Sequence, residues 1–453
     1  MIKSWRAMTL WKRVFIGLFI GILIGLGLHY GLNDTTEKLT KAAGDDMPKT
    51  IGQNIAETWF KPFGDAFVNL IRMLIVPLIV TTLVSGMVAM GDAKRLGSLG
   101  IKTVFLYMVT TFFAVWLGLA VATVFQPGAG LGELISAGNS SVDVVNDKLA
   151  KAGDAQRSMT QYLLDIIPQN PIKAMAEGDM LAIIFFSIMI GVGILLAGKK
   201  GKLLGDVFDS ASEVVMKVTM MIMELAPYGV LALMAWVMGV NGLGILVNMG
   251  KLAAALYIAC ILQIIFVYGG LIIRTILKLP FVRYIYGIAD AVGVAFSTSS
   301  SSATLPVTIS CAEKNLGVDK SVAGSVLPMG ATINMDGTAI YLGIVALFAA
   351  QAFGLPLNMG IYLTVALTAT LVSIGTAGIP SASLFLAVGM LQSIFGIEET
   401  KAVLIVAFIF PFDRLLDMMR TVTNISGDVA VACAVAKSEG QLDEEVFKTK
   451  SVV

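Results

Sequence analysis

Near its C-terminal end this 453-residue chain carries Asp413, Arg414, Asp417, Arg420, Thr421, Asn424 and Asp428 inside an apolar run. At about 100° per residue, with Asp417 as zero, Arg420, Thr421, Asn424, Asp428 and Asp413 fall near about 300°, 40°, 340°, 20° and 320°. They share an arc of roughly 100°, one polar stripe on an otherwise apolar helix. Ionisable groups at bilayer depth are costly and default to a functional role. The competing reading is a salt-bridged stripe that only packs helices together. Buried ion pairs are weak stabilisers, and apolar residues would pack the helices as well or better.

A second constellation is Gly330-Ala331-Thr332-Ile333-Asn334-Met335-Asp336-Gly337-Thr338. Gly, Asn and Asp within a span predict helix unwinding that frees backbone carbonyls. Freed carbonyls beside the Asp336 carboxylate suit a hard monovalent cation; a simple kink is the alternative. A third patch, Tyr107, Thr110 and Thr111, falls on one helix face at about 0°, 300° and 40°. Alone it is weak, because Thr in membrane helices commonly bonds its own backbone. Pro77 predicts a kink in the second span.

The elements that must position these groups are membrane helices. Hydrophobic residues make up 57% and charged residues 14% of the chain, against roughly 25% charged in soluble domains. Mean hydropathy is +0.84. The net charge of +1 gives no basic excess for nucleic acid. Cys260, Cys311 and Cys433 lie in apolar runs and read as buried hydrophobes. One histidine, His29, makes a Ser-His or Cys-His hydrolase or a His-rich metal centre improbable.

Eight spans are expected, near 14–30, 66–90, 101–125, 180–197, 214–238, 245–277, 322–350 and 402–436. The first follows Lys12-Arg13 with no small-x-small site after it, and is read as an uncleaved helix. Basic residues cluster on one side (Lys3, Arg6, Lys12, Arg13; Lys94, Arg95, Lys102; Lys199, Lys200, Lys202; Arg274, Lys278, Arg283). That alternation places both termini in the cytoplasm. Two apolar stretches do not fit as spans: 286–314, broken by Ser297–Ser302, and 361–395, broken by Ser373–Pro380. Each arm of about 12–13 residues reaches only about 20 Å, short of a core of about 30 Å. Each must turn back as a re-entrant hairpin whose polar tip sits against protein or a water-filled cavity. Two hairpin-plus-helix units form the inverted-repeat arrangement of secondary transporters.

At this point the motifs carry a resemblance. Ser299-Ser300-Ser301-Ser302-Ala303-Thr304-Leu305-Pro306 resembles the first hairpin tip of the glutamate-transporter family, the dicarboxylate/amino acid:cation symporters. Asn334-Met335-Asp336-Gly337-Thr338 is similar to that family's seventh-helix signature, and Gly375-Thr376-Ala377-Gly378-Ile379-Pro380 to its second hairpin tip. The stretch from Asp417 to Asp428 resembles its eighth-helix motif. The four motifs occur in the family's order along essentially the whole chain.

The resemblance implies an all-α polytopic fold of eight spans and two hairpins, a homotrimer in a plasma membrane, prokaryotic given the compact chain. An elevator-type transport domain, about 97–126 and 244–437, would slide past a scaffold of about 14–90 and 160–240, with 438–453 a cytoplasmic tail. It implies that Arg420 pairs with a substrate side-chain carboxylate and Asp417 with its α-amino group. Thr421, Asn424, Thr338, Ser299 and Ser301 would hold the α-carboxylate and main chain, with Ser300, Ile379 and Ser383 also in the pocket. Three sodium sites are implied. One uses carbonyls of Gly330, Asn334 and Asn424 with Asp428. Another uses Thr332 with carbonyls of Ser373, Ile374 and Thr376. The third uses Tyr107, Thr110, Thr111, Asn334 and Asp336. No organic cofactor is implied.

Departures from the pattern bear on substrate and ion. Ser383 stands where many members have glycine. Leu342 replaces a proton-carrying glutamate of the excitatory transporters, so sodium rather than protons is expected. Arginines found in some members at the positions of Met418 or Ser299 are missing, and Arg414 is the candidate to supply that charge. The expected function is import of aspartate or glutamate with sodium. The alternatives are a C4-dicarboxylate or proton-coupled glutamate carrier, an intramembrane serine hydrolase at Ser299–Ser302 and a ligand-gated anion channel.

Overall fold

The computed structural model describes residues 8, 10–32, 50–89, 93–131, 167–177, 180–374, 376, 382–397 and 399–449. Among these residues the regular structure is helical, with an isolated β-bridge between Val318 and Leu442 and no strand. The early helices are α1 (Leu10–Gly31), α2 (Lys61–Ala89), α3 (Ala93–Phe125), α4 (Met180–Ala197), α5 (Lys202–Met223) and α6 (Ala226–Asn241). Then come α7 (Gly244–Leu262), which continues as a π-helix over Gln263–Ile276, and α8 (Phe281–Gly287). Two pairs of short helices follow the expected breaks: α9 (Ala289–Thr298) with α10 (Ser301–Ser310), and α13 (Met359–Ile374) with α14 (Ala382–Phe395). Between the pairs lie α11 (Lys320–Ile333) and α12 (Asp336–Ala352); α15 (Glu399–Ser438) and α16 (Glu444–Lys448) end the chain.

Packing sorts the helices into two sets. In one, α1 lies against α6, and α2 against α4, α5 and α6. In the other, α12 sits between α3, α7, α13, α14 and α15, while α9, α11 and α14 pack on α15. Every residue of α12 is buried except Gln351. A helix apolar on all sides belongs at the centre of a bundle.

Among the described residues, five helices are long and apolar enough to cross a membrane unaided: Lys12–Gly31, Gly100–Phe125, Ala182–Lys200, Gly244–Ile276 and Lys320–Ala352. A sixth is added if the bent pair α5 and α6 counts as one span. The expected single span at 214–238 is corrected here: α5 and α6 meet at a 51° bend. Pro227, in the first turn of α6, has no N–H to continue the ladder of α5. The expected spans at 66–90 and 402–436 fall outside that set of five. Charges crowd the middle of α15, and Pro411 lies inside it. Pro77 sits within an unbroken α2, and its carbonyl accepts from the Thr81 hydroxyl at 2.7 Å.

The two short pairs keep their arms too short to span. The longest arm, α13, has 16 residues, about 24 Å at 1.5 Å per residue. In each pair the two arms pack on each other. The chain beyond α15 is docked over 439–449 rather than trailing as a tail. Asp319 N–H donates to the Gln441 carbonyl (3.0 Å), Asp443 N–H to the Gly317 carbonyl (2.8 Å), and Phe447 is fully buried.

Candidate functional site

The stripe read from α15 is buried as expected: Asp413, Asp417, Arg420, Thr421, Asn424 and Asp428 are each 6% exposed or less. Arg420 Nη2 donates to Asp417 Oδ1 at 2.7 Å and to Asp413 Oδ1 at 3.0 Å, and the guanidinium lies 4.1 Å from the Tyr341 ring centroid. Its Nε and Nη1 are buried without a hydrogen-bond partner among the described residues. A guanidinium over an aromatic face keeps its plane fixed, so those two donors point in a set direction. Arg420 and Asp417, expected to meet separate ends of a ligand, are here paired with each other. The spacing of three residues on a helix permits that.

The interrupted helix is as the sequence predicts. Asn334 (φ −89°, ψ 82°) and Met335 (φ −108°, ψ 52°) leave the helical region between α11 and α12. The restarted helix begins with unsatisfied N–H groups, and Gly337 N–H donates to the Asn424 side chain at 2.8 Å. A Cβ on Gly337 would run into the Arg420 backbone, so glycine lets α12 and α15 touch there. Gly330 is equally constrained, because its Cβ would strike the Asp428 carboxylate and the Tyr107 hydroxyl.

Around the break the structure gathers oxygens from four elements. Thr111 and Tyr268 donate to the two oxygens of Asp336, each at 2.6 Å. Thr110 donates to Asn334 Oδ1 at 3.3 Å, and Asn334 Nδ2 to Asp428 Oδ1 at 2.9 Å. Tyr107 donates to the Val326 carbonyl at 3.0 Å. The two carboxylates thus lie in one buried, hydroxyl-lined region. A carboxylate held there strongly favours a compensating cation. Hydroxyl, amide and carboxylate oxygens are the donors of a hard cation. No group of three or more His, Cys, Asp and Glu suited to a softer metal occurs among the described residues.

At the first tip, Ser299 takes a left-handed conformation (φ 53°), and its buried Oγ has no partner among the described residues. Ser300 caps α10, accepting from Ala303 N–H at 3.2 Å, and Ser301 is buried. Arg414 Nη2 donates to the last carbonyls of α9, Ser297 (3.4 Å) and Thr298 (3.2 Å). A cation at a helix C-terminus complements its dipole. Thr338 and Ser383 are buried, and Ile374 is half-buried. Three residues expected together have hydroxyls turned to their own helices: Thr332 to Met329, Ser373 to Thr370 and Thr376 to Val372. Ile379 lies outside the described residues.

Sequence reasoning missed Tyr268, Tyr341 and Gln263. Aromatic residues in apolar runs read as core, and only their hydroxyl or ring contacts across helices mark them. The π-helix beginning at Gln263 is likewise invisible in composition. His29 is on α1, its Nδ1 bonded to the Gly239 carbonyl at 3.1 Å, so it is not a base for the serine tip.

Residues 10–438 match the sequence profile of the Sodium:dicarboxylate symporter family. The chain is 33% identical over 398 residues to the proton/sodium-glutamate symport protein of Bacillus subtilis, covering 88% of this chain and 90% of that one. It is 35% identical over 387 residues to a C4-dicarboxylate transport protein of Rhodopseudomonas palustris, covering 85% and 83%. A proton/sodium-glutamate symport protein of Geobacillus stearothermophilus is 33% identical over 391 residues, covering 86% and 90%. These relatives are transporters, which removes the hydrolase reading. Polar stripe, broken helix and serine tip thus belong to a carrier, and the chain belongs to the Sodium:dicarboxylate symporter family.

Proposed function

We propose that this protein is a secondary active symporter that imports an acidic amino acid, aspartate or glutamate, together with sodium. The observation that carries the reading is the buried Asp417–Arg420 pair, 2.7 Å apart, with two guanidinium nitrogens, Nε and Nη1, unpartnered among the described residues. A zwitterionic dicarboxylate brings a carboxylate for Arg420 and an ammonium for Asp417. Its binding exchanges the internal pair for two external ones, each between opposite charges. A guanidinium forks onto a carboxylate with two parallel bonds. Thr421, Asn424, Thr338, Ser299, Ser300 and Ser301, with Ile379 and Ser383 of the second pair, would contact the remainder of the substrate.

Sodium, as co-transported cargo, would be held at Tyr107, Thr110, Thr111, Asn334 and Asp336, and at Asp428 with carbonyls of Gly330, Asn334 and Asn424. Thr332 with Ser373, Ile374 and Thr376 would form the third position, after the Thr332 hydroxyl turns from Met329. The short helix pairs support re-entrant tips that close on substrate. The two packing sets support a mobile unit, about 97–126 and 244–437, moving against a fixed one, about 14–90 and 160–240, by an elevator mechanism. A homotrimer in the plasma membrane with both termini cytoplasmic completes the reading.

A C4-dicarboxylate carrier is the second reading, favoured by relatives of that name at 34–35% identity. Such a substrate has no ammonium for Asp417. Calorimetry on wild type and Asp417→Asn with aspartate, glutamate and succinate separates the two. Amino-acid binding in the wild type that is lost in the variant supports the proposal. Succinate binding that outlasts the substitution, with no amino-acid binding in either protein, establishes the second reading instead. Uptake into liposomes under separate sodium and proton gradients identifies the coupling ion.

A further inference from the structure

Gln263 is fully buried, on the helix that faces the Thr110–Asp336 region. Its Nε2 donates to the Thr110 carbonyl at 3.2 Å. A backbone carbonyl only accepts, so this bond fixes which way the amide points. The other end, Oε1, is buried with no hydrogen-bond partner among the described residues. Leaving a buried acceptor unsatisfied carries its full desolvation cost, so a partner of suitable chemistry is called for. Three donors of the region are already engaged: Thr111 and Tyr268 hydroxyls on Asp336, and Asn334 Nδ2 on Asp428. What the region offers in excess is oxygen.

A second observation is independent of the first. The α7 helix changes to π-helical winding at Gln263 and stays so to Ile276. A π segment costs hydrogen-bond geometry and recurs at functional sites. Here its first residue is Gln263, and the segment also carries Tyr268, whose hydroxyl meets Asp336. The altered winding therefore sets both side chains against the same carboxylate.

We propose that Gln263 Oε1 is a ligand of the cation held at Thr110, Thr111, Asn334 and Asp336, a neutral amide oxygen completing a shell whose charge comes from Asp336. The inference rests on the proposed sodium site at those residues. An amide oxygen adds a donor without adding charge, which matches a monovalent ion to a single carboxylate. The Nε2 bond to Thr110 ties that ligand to the backbone of α3, so ion entry also joins α3 to α7.

The test is sodium binding to the full-length protein in detergent without substrate, read by calorimetry and by intrinsic tryptophan fluorescence. The proteins compared are wild type, Gln263→Leu, Gln263→Glu and Asp336→Asn. Gln263→Leu keeps the volume and removes the oxygen, and is expected to weaken sodium binding about tenfold or more. Gln263→Glu keeps an oxygen at the same reach but loses the N–H donor, and is expected to bind sodium at least tenfold more tightly than Gln263→Leu. Size-exclusion profiles verify folding, and the Leu-to-Glu comparison still decides if one variant is unstable against wild type. Wild-type affinity in Gln263→Leu, or equal weakening in both Gln263 variants, overturns the proposal and leaves Gln263 as a brace for Thr110. Wild-type affinity in Asp336→Asn overturns the underlying site, a failure distinct from the first.

Discussion

Replacing Arg420 has two effects that the structure allows to be separated. The guanidinium neutralises Asp413 and Asp417 at 3.0 and 2.7 Å and covers Tyr341. Removing one partner of a buried ion pair costs about 3–5 kcal/mol, because the other charge is stranded. Arg420→Met strands two carboxylates, so a loss of stability at the upper end of that range is expected in thermal unfolding. Losing a desolvated charge pair to the substrate costs about 2–5 kcal/mol, which is roughly 30-fold to several-thousand-fold in affinity. The double variant Arg420→Met/Asp413→Asn separates the effects. It leaves one buried carboxylate, which is relieved by protonation or by the substrate ammonium. Much of the stability should return while acidic-substrate affinity stays lost, and neutral amino acids should compete better than acidic ones. Calorimetry with glutamate, aspartate and alanine on the three proteins makes the comparison. Wild-type affinity for glutamate in the double variant would refute the assignment and make Arg420 a structural brace.

Asp428→Asn should flatten the dependence of substrate affinity on sodium while the protein stays folded, since coupling between two ligands is reciprocal; substrate titrations at several sodium concentrations measure it. Gly330→Ala places a methyl within 2.5 Å of the Tyr107 hydroxyl and against Asp428, and should weaken sodium binding, as calorimetry would show. Phe447→Ala should destabilise the docked C-terminal segment by about 3–5 kcal/mol, seen as faster hydrogen exchange over 439–449. The same segment should respond to acid. Hydrogen bonds from Lys437 and Lys448 hold Glu444 down at about 2, against an ordinary 4.5. A depressed carboxyl contributes stability above its ordinary value and loses it as pH falls from 4.5 toward 2. Exchange protection over Glu444–Lys448 should therefore hold at pH 6 and fall by pH 3.

Much of this carrier was legible in its residue order because the signals are local. Helical periodicity alone puts Asp413, Asp417, Arg420, Asn424 and Asp428 on one face of α15. The Asn334-Met335 break follows from side chains that disfavour continued helix, and the serine tip from an arm too short to span. Pairing between helices is another matter. The apolar runs of a membrane protein offer similar faces all round, so hydropathy does not say which helix meets which. Only the packing of α12 on α15 brings Tyr341 over Arg420 and fits Gly337 against its backbone. Only the packing of α3 and the π segment on the α11–α12 break assembles Thr110, Thr111, Gln263 and Tyr268 around Asp336. The docking of Phe447 was hidden for the same reason. Each is decided by contacts between residues far apart in the chain, where the period of a helix carries no information.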